Sequence, residues 1–261
     1  MAEPVYRSVV LFARGVFRAL GIRFDISGTE HLPRAGGAVL AINHTGYLDF
    51  TFAGLAAREA GRLVRFMAKQ EVFDKQPSGF LLRAMKHIPV DRGGAVGDSY
   101  QLAVKALGAG EVVGVFPEAT ISQSFELKGF KTGAARMAGE AGVPVVPCVI
   151  WGSQRIMTKG RPRDLTRGTH IRIVLGEPFR PDAAGDPVAA TAELKARMQA
   201  LLEQARVSYA GGPRSPGDTW WLPAAEGGTA PTPEVAAARD VAELAERAAR
   251  RAARSSPTPP S

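Results

Sequence analysis

The chain has a single cysteine, Cys148, among its 261 residues. A lone thiol excludes an internal disulfide framework and any multi-cysteine zinc site. Its place in the apolar run from Val145 to Trp151 reads as a buried, inert side chain. No uncharged apolar stretch reaches the ~18 residues that a membrane-spanning helix needs. The N-terminus lacks the basic region, apolar core and cleavage site of a secretory signal, so a protein facing the cytoplasm is expected. Neither Gly-x-Gly-x-x-Gly nor Gly-x4-Gly-Lys occurs, which removes the usual nucleotide-binding loops. The serine-hydrolase elbow, Gly-x-Ser-x-Gly, is missing too. No His/Cys/Asp cluster has metal-ligand spacing, so neither metal nor cofactor is expected. Internal repeats are absent.

What is present suits one large α/β domain with a substantial core, at an ordinary 45% hydrophobic content. The formal charge of +8 and a pI near 10.0 call for an anionic partner: nucleic acid, a phospholipid surface or a phosphorylated small molecule. Nucleic acid ranks last, because aromatics are not interleaved with the basic residues and no binding motif occurs.

Val5, Val9, Phe12, Val16 and Leu20 make one stripe at helical spacing, with Arg7, Arg14 and Arg18 off it. Such a basic amphipathic helix can lie in a bilayer interface or pack on its own domain. Apolar runs then alternate with helical patterns. Strands are expected at residues 23–27, 38–42, 64–68, 112–116, 145–150 and 170–175. Helices are expected at 47–57, 78–85, 99–107, 132–141 and 191–207. This order predicts an α/β fold with a mainly parallel central sheet flanked by helices. Residues 1–21 form the amphipathic helix, 22–208 the α/β domain, and 209–261 a C-terminal extension. The extension opens with a Gly/Pro-rich segment around Trp220 and Trp221, whose rings pack on protein or touch lipid. Thr232 then caps a helix with Pro233 in its first position, running to about residue 254, and a disordered tail follows.

The most informative stretch is Asn43-His44-Thr45-Gly46-Tyr47-Leu48-Asp49. It places an imidazole and a carboxylate five positions apart where a strand gives way to a helix. A carboxylate that fixes the tautomer of a neutral imidazole lets the ring take a proton from an alcohol. The same spacing also suits a buried histidine bonded to an aspartate at a helix start. His31, His87 and His170 lack such a carboxylate and read as structural or surface residues.

Three further segments follow in order: Ile88-Pro89-Val90-Asp91-Arg92, Phe116-Pro117-Glu118-Ala119-Thr120 and Val143-Pro144-Val145-Val146-Pro147. Together with the histidine segment they resemble the four sequence blocks of the glycerolipid acyltransferases, above all the 1-acylglycerol-3-phosphate acyltransferases. Met67-Ala68-Lys69-Gln70-Glu71 and Phe130-Lys131-Thr132-Gly133 resemble family segments as well. The resemblance implies transfer of a fatty acyl group from acyl-coenzyme A or acyl carrier protein to the free hydroxyl of lysophosphatidic acid, giving phosphatidic acid. It implies a peripheral enzyme on the cytoplasmic face of a membrane. His44 would be the general base and Asp49 its orienting partner, with no acyl-enzyme intermediate. Lys69, Arg92 and Lys131 become candidates for the acceptor phosphate, each with a surface or ion-paired alternative. Glu118 becomes a candidate for glycerol hydroxyls, or else a capping or ion-paired acid. Thr120 and Asn43 could touch substrate or cap the local backbone. The Val-Pro-Val-Val-Pro block would be a wall of the acyl channel or a rigid core strand.

The third block departs from the family's usual Phe-Pro-Glu-Gly-Thr-Arg-Ser, having Ala119 for the glycine and Ile121 for the arginine. That arginine is commonly assigned to the phosphate. Either Arg92 and Lys69 suffice, or a nearby cation such as Lys128 substitutes, or the acceptor is another lysolipid or a glycolipid. A non-catalytic lipid-binding module on the same fold is the reading from a different class.

Overall fold

Ala38–Ile42 carries no polar side-chain atom, and in the computed structural model, which describes residues 3–90 and 96–255, it forms a strand with every residue at 0% exposure. Seven strands make one sheet: β1 (Arg23–Ser27), β2 (Ala38–Ile42), β3 (Val64–Lys69), β4 (Ile88–Val90), β5 (Val112–Val115), β6 (Val145–Trp151) and β7 (His170–Leu175). Their order is β1-β7-β6-β2-β5-β3-β4. All neighbours run parallel except β6 and β7. The helices are α1 (Pro4–Ala19), α2 (Asp49–Glu59), α3 (Gln70–Phe73), α4 (Ser78–Ala84), α5 (Val96–Gly108), α6 (Gly133–Ala141), α7 (Pro187–Val207) and α8 (Pro233–Ser255).

Alternate residues of β2 serve two cores, as the pleat dictates. Val39 and Ala41 pack with Leu107 of α5, Met137 of α6 and Leu194 of α7. Ala38, Leu40 and Ile42 pack with Phe52 and Ala56 of α2 and Phe17 of α1. The mainly parallel, helix-flanked sheet expected from the sequence is therefore present. Several bounds shift by one to three residues, and three larger differences from the sequence reading stand out. β4 has three residues with Pro89 in the middle, a length and composition too weak to signal a strand; it survives because β4 is the sheet edge. α3 is a single turn. α7 starts at Pro187 rather than at residue 191, because the Asp186 carboxylate accepts the Val188 amide at 2.8 Å and caps it.

α1 turns unexpected residues inward. Tyr6 and Phe17 are buried, whereas Leu11 and Phe12 are 73% and 74% exposed. The Tyr6 hydroxyl donates to the Val64 carbonyl at 3.1 Å, and the Phe17 ring lies 5.2 Å from that of Phe52. Glu3, just ahead of the helix, pairs with the buried Arg65 of β3 at 2.5 Å. The helix is thus clamped at both ends while part of its apolar stripe faces outward. Among the described residues no helix is long and apolar enough to cross a membrane.

Residues 209–232 run across the domain. Trp221 is buried against Trp151 and Tyr209, under the Arg155 guanidinium at 4.3 Å. Trp220 meets Phe125 and Arg161. This anchored segment delivers the chain to α8. The tail expected to be disordered lies outside the described residues from 256 onward.

Candidate active site

In parallel sheets the segments that follow the strands gather at one edge. The stretches after β2, β5 and β6 share that edge here and carry His44, Glu118 and Ser153 respectively, while Lys69 ends β3 at the same edge. The first of these turns is pinned by Asn43, 1% exposed, whose amide donates to the Ile150 carbonyl at 3.0 Å and accepts the Ile150 amide at 2.7 Å. Both ends of that side chain are thus engaged with β6.

Asp49, the first residue of α2, is fully buried. Its Oδ2 accepts the amides of Thr45 at 2.7 Å and Gly46 at 2.8 Å, and lies 3.0 Å from His44 Nδ1. Its Oδ1 accepts the Ser153 hydroxyl. A carboxylate can only accept, so Nδ1 carries the proton in the neutral ring and Nε2 keeps a free lone pair. The imidazole is 20% exposed and stacks on Phe116, centroids 4.2 Å apart and planes 27° apart. Gly46 has no room for a side chain, since a Cβ would meet Ser153 Oγ at 2.8 Å. Chemically, the ring is held in one plane and one tautomer, with a basic nitrogen directed away from its carboxylate.

Glu118 sits below the histidine turn, 5% exposed. Its two oxygens accept the amides of His44 at 2.8 Å and Lys128 at 3.0 Å, bracketing two loops. Burial pushes this carboxyl up to about 7, against the opposing pull of those amides. The Ser122 amide adds a bond to the His44 carbonyl at 2.7 Å. Thr120 accepts from the Lys128 ammonium. Lys131 is exposed, its amide bonded to the Pro117 carbonyl. Lys69 ends β3, half-buried. Arg92 lies outside the described residues. Of the other histidines, His31 reaches the Leu175 carbonyl and the buried His87 accepts the Phe66 amide. No group of three or more potential metal ligands occurs among the described residues.

One member of the site, Ser153, carries no signal in the sequence. Ser153 follows β6, and only the β6–β2 adjacency brings it to Asp49. Phe116 was visible in its block, but its stacking on His44 depends on β5 lying beside β2.

Fold and site define an α/β protein with a histidine–aspartate pair at the carboxyl edge of its sheet. Residues 23–151 match the acyltransferase family. The chain is 29% identical over 171 residues to the 1-acyl-sn-glycerol-3-phosphate acyltransferase of Bacillus subtilis, covering 66% of this chain and 77% of that protein. It is 30% identical over 193 residues to a probable 1-acyl-sn-glycerol-3-phosphate acyltransferase of Mycoplasma pneumoniae, covering 69% and 68%. Chloroplast relatives are longer, and the chain spans 50% and 44% of two of them. The solved 1-acyl-sn-glycerophosphate acyltransferase PlsC of Thermotoga maritima shares the fold, with a TM-score of 0.66 at 21% identity over 78% of this chain and 81% of that one. This chain belongs to the acyltransferase family.

Ala119 adopts φ 62°, a left-handed conformation that an L side chain resists by ~1–2 kcal/mol. Ala119→Gly should raise stability by about 0.5–1 kcal/mol, after the greater freedom that glycine gives the unfolded chain is counted. An unchanged or lower denaturation midpoint would mean that the loop gains nothing from glycine. Glu118 generates a pH dependence. Its raised folded value means that the fold holds a proton which the unfolded chain releases near 4.5, so its stabilising effect is complete below about 4.5 and is lost as pH rises through about 7. Between those limits the stability difference between wild type and Glu118→Gln should change by roughly 3 kcal/mol. Urea titrations across that window test it, and a flat difference would show Glu118 ionised throughout.

Proposed function

We propose that this protein moves a fatty acyl group from the thioester of acyl-coenzyme A or acyl carrier protein to the free hydroxyl of lysophosphatidic acid, forming phosphatidic acid. The carrying observation is the His44–Asp49 pair, with Nδ1 tied to a buried carboxylate and part of the ring exposed. The names of the Bacillus and Mycoplasma relatives support the acceptor. In the reaction, Nε2 of His44 takes the hydroxyl proton as the oxygen attacks the thioester carbonyl. The C–S bond then breaks, and the departing thiolate receives that proton from the imidazolium. Asp49 stabilises the transient positive ring without itself being protonated. No acyl-enzyme forms, because the acceptor oxygen attacks directly. Lys69, Arg92 and Lys131 remain phosphate candidates on this reading, and Thr120 a donor to substrate oxygen.

A second acceptor class, another lysolipid or a glycolipid, is favoured by one observation: Ile121, where the family's usual block has arginine, is 6% exposed and apolar. Association with a membrane surface on its cytoplasmic side is part of the same proposal. Leu11 and Phe12 project from α1 beside the exposed Arg7, Arg14 and Arg18, as in helices that lie in an anionic interface.

His44→Ala should lower turnover by roughly 10²–10⁴-fold with an unchanged circular-dichroism spectrum. A labelled acyl donor assayed against a panel of lysolipids and glycolipids measures both base and acceptor; sustained turnover by the variant would remove the base assignment. Leu11→Asp combined with Phe12→Asp should abolish flotation with anionic vesicles, and undiminished flotation would place membrane contact elsewhere.

A further inference from the structure

The His44 turn is flanked by two lysines that the proposed chemistry leaves without a task. The Lys128 amide shares the Glu118 carboxylate with the His44 amide. Lys159 follows Thr158, whose hydroxyl donates to the Thr45 carbonyl at 2.7 Å. The two side chains, 24% and 18% exposed, come from different loops and close on one carboxylate, that of Asp240 in α8. Lys159 Nζ lies 2.6 Å from Asp240 Oδ1 and also pairs with Glu243; Lys128 Nζ pairs with Oδ2 and donates to Thr120 Oγ1. Two ammonium groups converging on two anionic oxygens, with a hydroxyl beside them, match what a phosphate monoester requires.

The helix that brings Asp240 is lightly seated. Val235, Val241 and Leu244 are 46%, 67% and 57% exposed, while Ala236 is buried. Over its described side chains ion pairs contribute to its attachment, and the attraction in each is offset by the desolvation of both partners. An anionic ligand could displace such a carboxylate at small cost. The buried Ile121 supplies no charge where the family's usual block has an arginine, which leaves a need these lysines can meet.

We propose that Lys128 and Lys159 bind the phosphate of the acceptor in addition to the candidates named above, and that Asp240 occupies their subsite as an intramolecular stand-in until the acceptor binds. The identity of the acceptor rests on the function proposed above, but the subsite can be measured without turnover. Binding of micellar lysophosphatidic acid and of neutral monoacylglycerol to the full chain, followed by calorimetry, is the test. Lys128→Ala with Lys159→Ala should weaken lysophosphatidic acid binding at least about tenfold, the worth of one charge-assisted hydrogen bond, and leave monoacylglycerol binding unchanged. Asp240→Asn with Glu243→Gln breaks the same ion pairs but keeps the lysines, and should bind lysophosphatidic acid more tightly than wild type. Equal affinity in the double-lysine variant would overturn the subsite. Weaker binding in the Asp240/Glu243 variant would show that the pairs serve only to dock α8. Should these shifts occur without acyl transfer to lysophosphatidic acid, the subsite stands and the proposed reaction fails; transfer unaffected by loss of the lysines has the reverse meaning.

Discussion

A buried carboxylate must have its hydrogen bonds met, because an unsatisfied charge in the interior costs several kcal/mol. Asp49 meets this demand with two turn amides, the Ser153 hydroxyl and the His44 ring, and so dictates the site around it. The turn amides converge only if the chain reverses tightly after Asn43, which leaves no room for a side chain at Gly46. The serine arrives only if the loop after β6 folds over the same turn. The ring is then fixed by what remains: one oxygen at Nδ1 and Phe116 against its face. Local charge satisfaction thus fixes the plane and the tautomer of the ring.

Topology supplies the convergence. Blocks widely separated in the chain meet because each follows a strand that runs in the same direction as its neighbour. β2 lies between β5 and β6, so its turn is flanked by Phe116 and Glu118 on one side and Ser153 on the other. Glu118 adds a second tie, bonding the amides of the histidine turn and of Lys128 through one carboxylate. Since its burial already raises it to about 7, this bracket sits near the boundary between a charged double acceptor and a protonated group that accepts less well.

Much of the fold was legible because its signals are local. β2 is legible to the residue as an apolar run, β1 and β7 as short strand patterns, and α8 from its threonine–proline start. β4 and α3 were missed because three- and four-residue elements carry too little periodicity to register. The stripe on α1 signals a helix, yet periodicity cannot tell which side a helix offers its domain. Tyr6 and Phe17 decided that through a hydroxyl bond to Val64 and ring packing on Phe52. In the site, the His44 and Asp49 spacing was visible because it lies within one turn. Ser153 was not, because no local rule reveals which strand neighbours which. The burial of Glu118 was equally hidden, since a strand-end carboxylate in sequence looks the same whether it meets solvent or two backbone amides.

The third block shows how differently two substitutions in one loop can act. Alanine at 119 strains the backbone but keeps its path, because the bond from its amide to the Phe116 carbonyl and the Ser122–His44 bond hold the loop on both sides. Isoleucine at 121 does the opposite: it fits the interior and removes a cation. The loop therefore keeps its form and loses its charge. In the proposed subsite Lys128 restores charge from a position whose main chain is bracketed by Glu118, so its stem starts from a point as fixed as the histidine turn itself. Its ammonium group, unlike a guanidinium, offers a compact charge on a flexible stem. A second ammonium from Lys159 would make up the geometry that one arginine fork provides. An acid on α8 that holds both together keeps them poised as a pair where mutual repulsion would otherwise drive them apart.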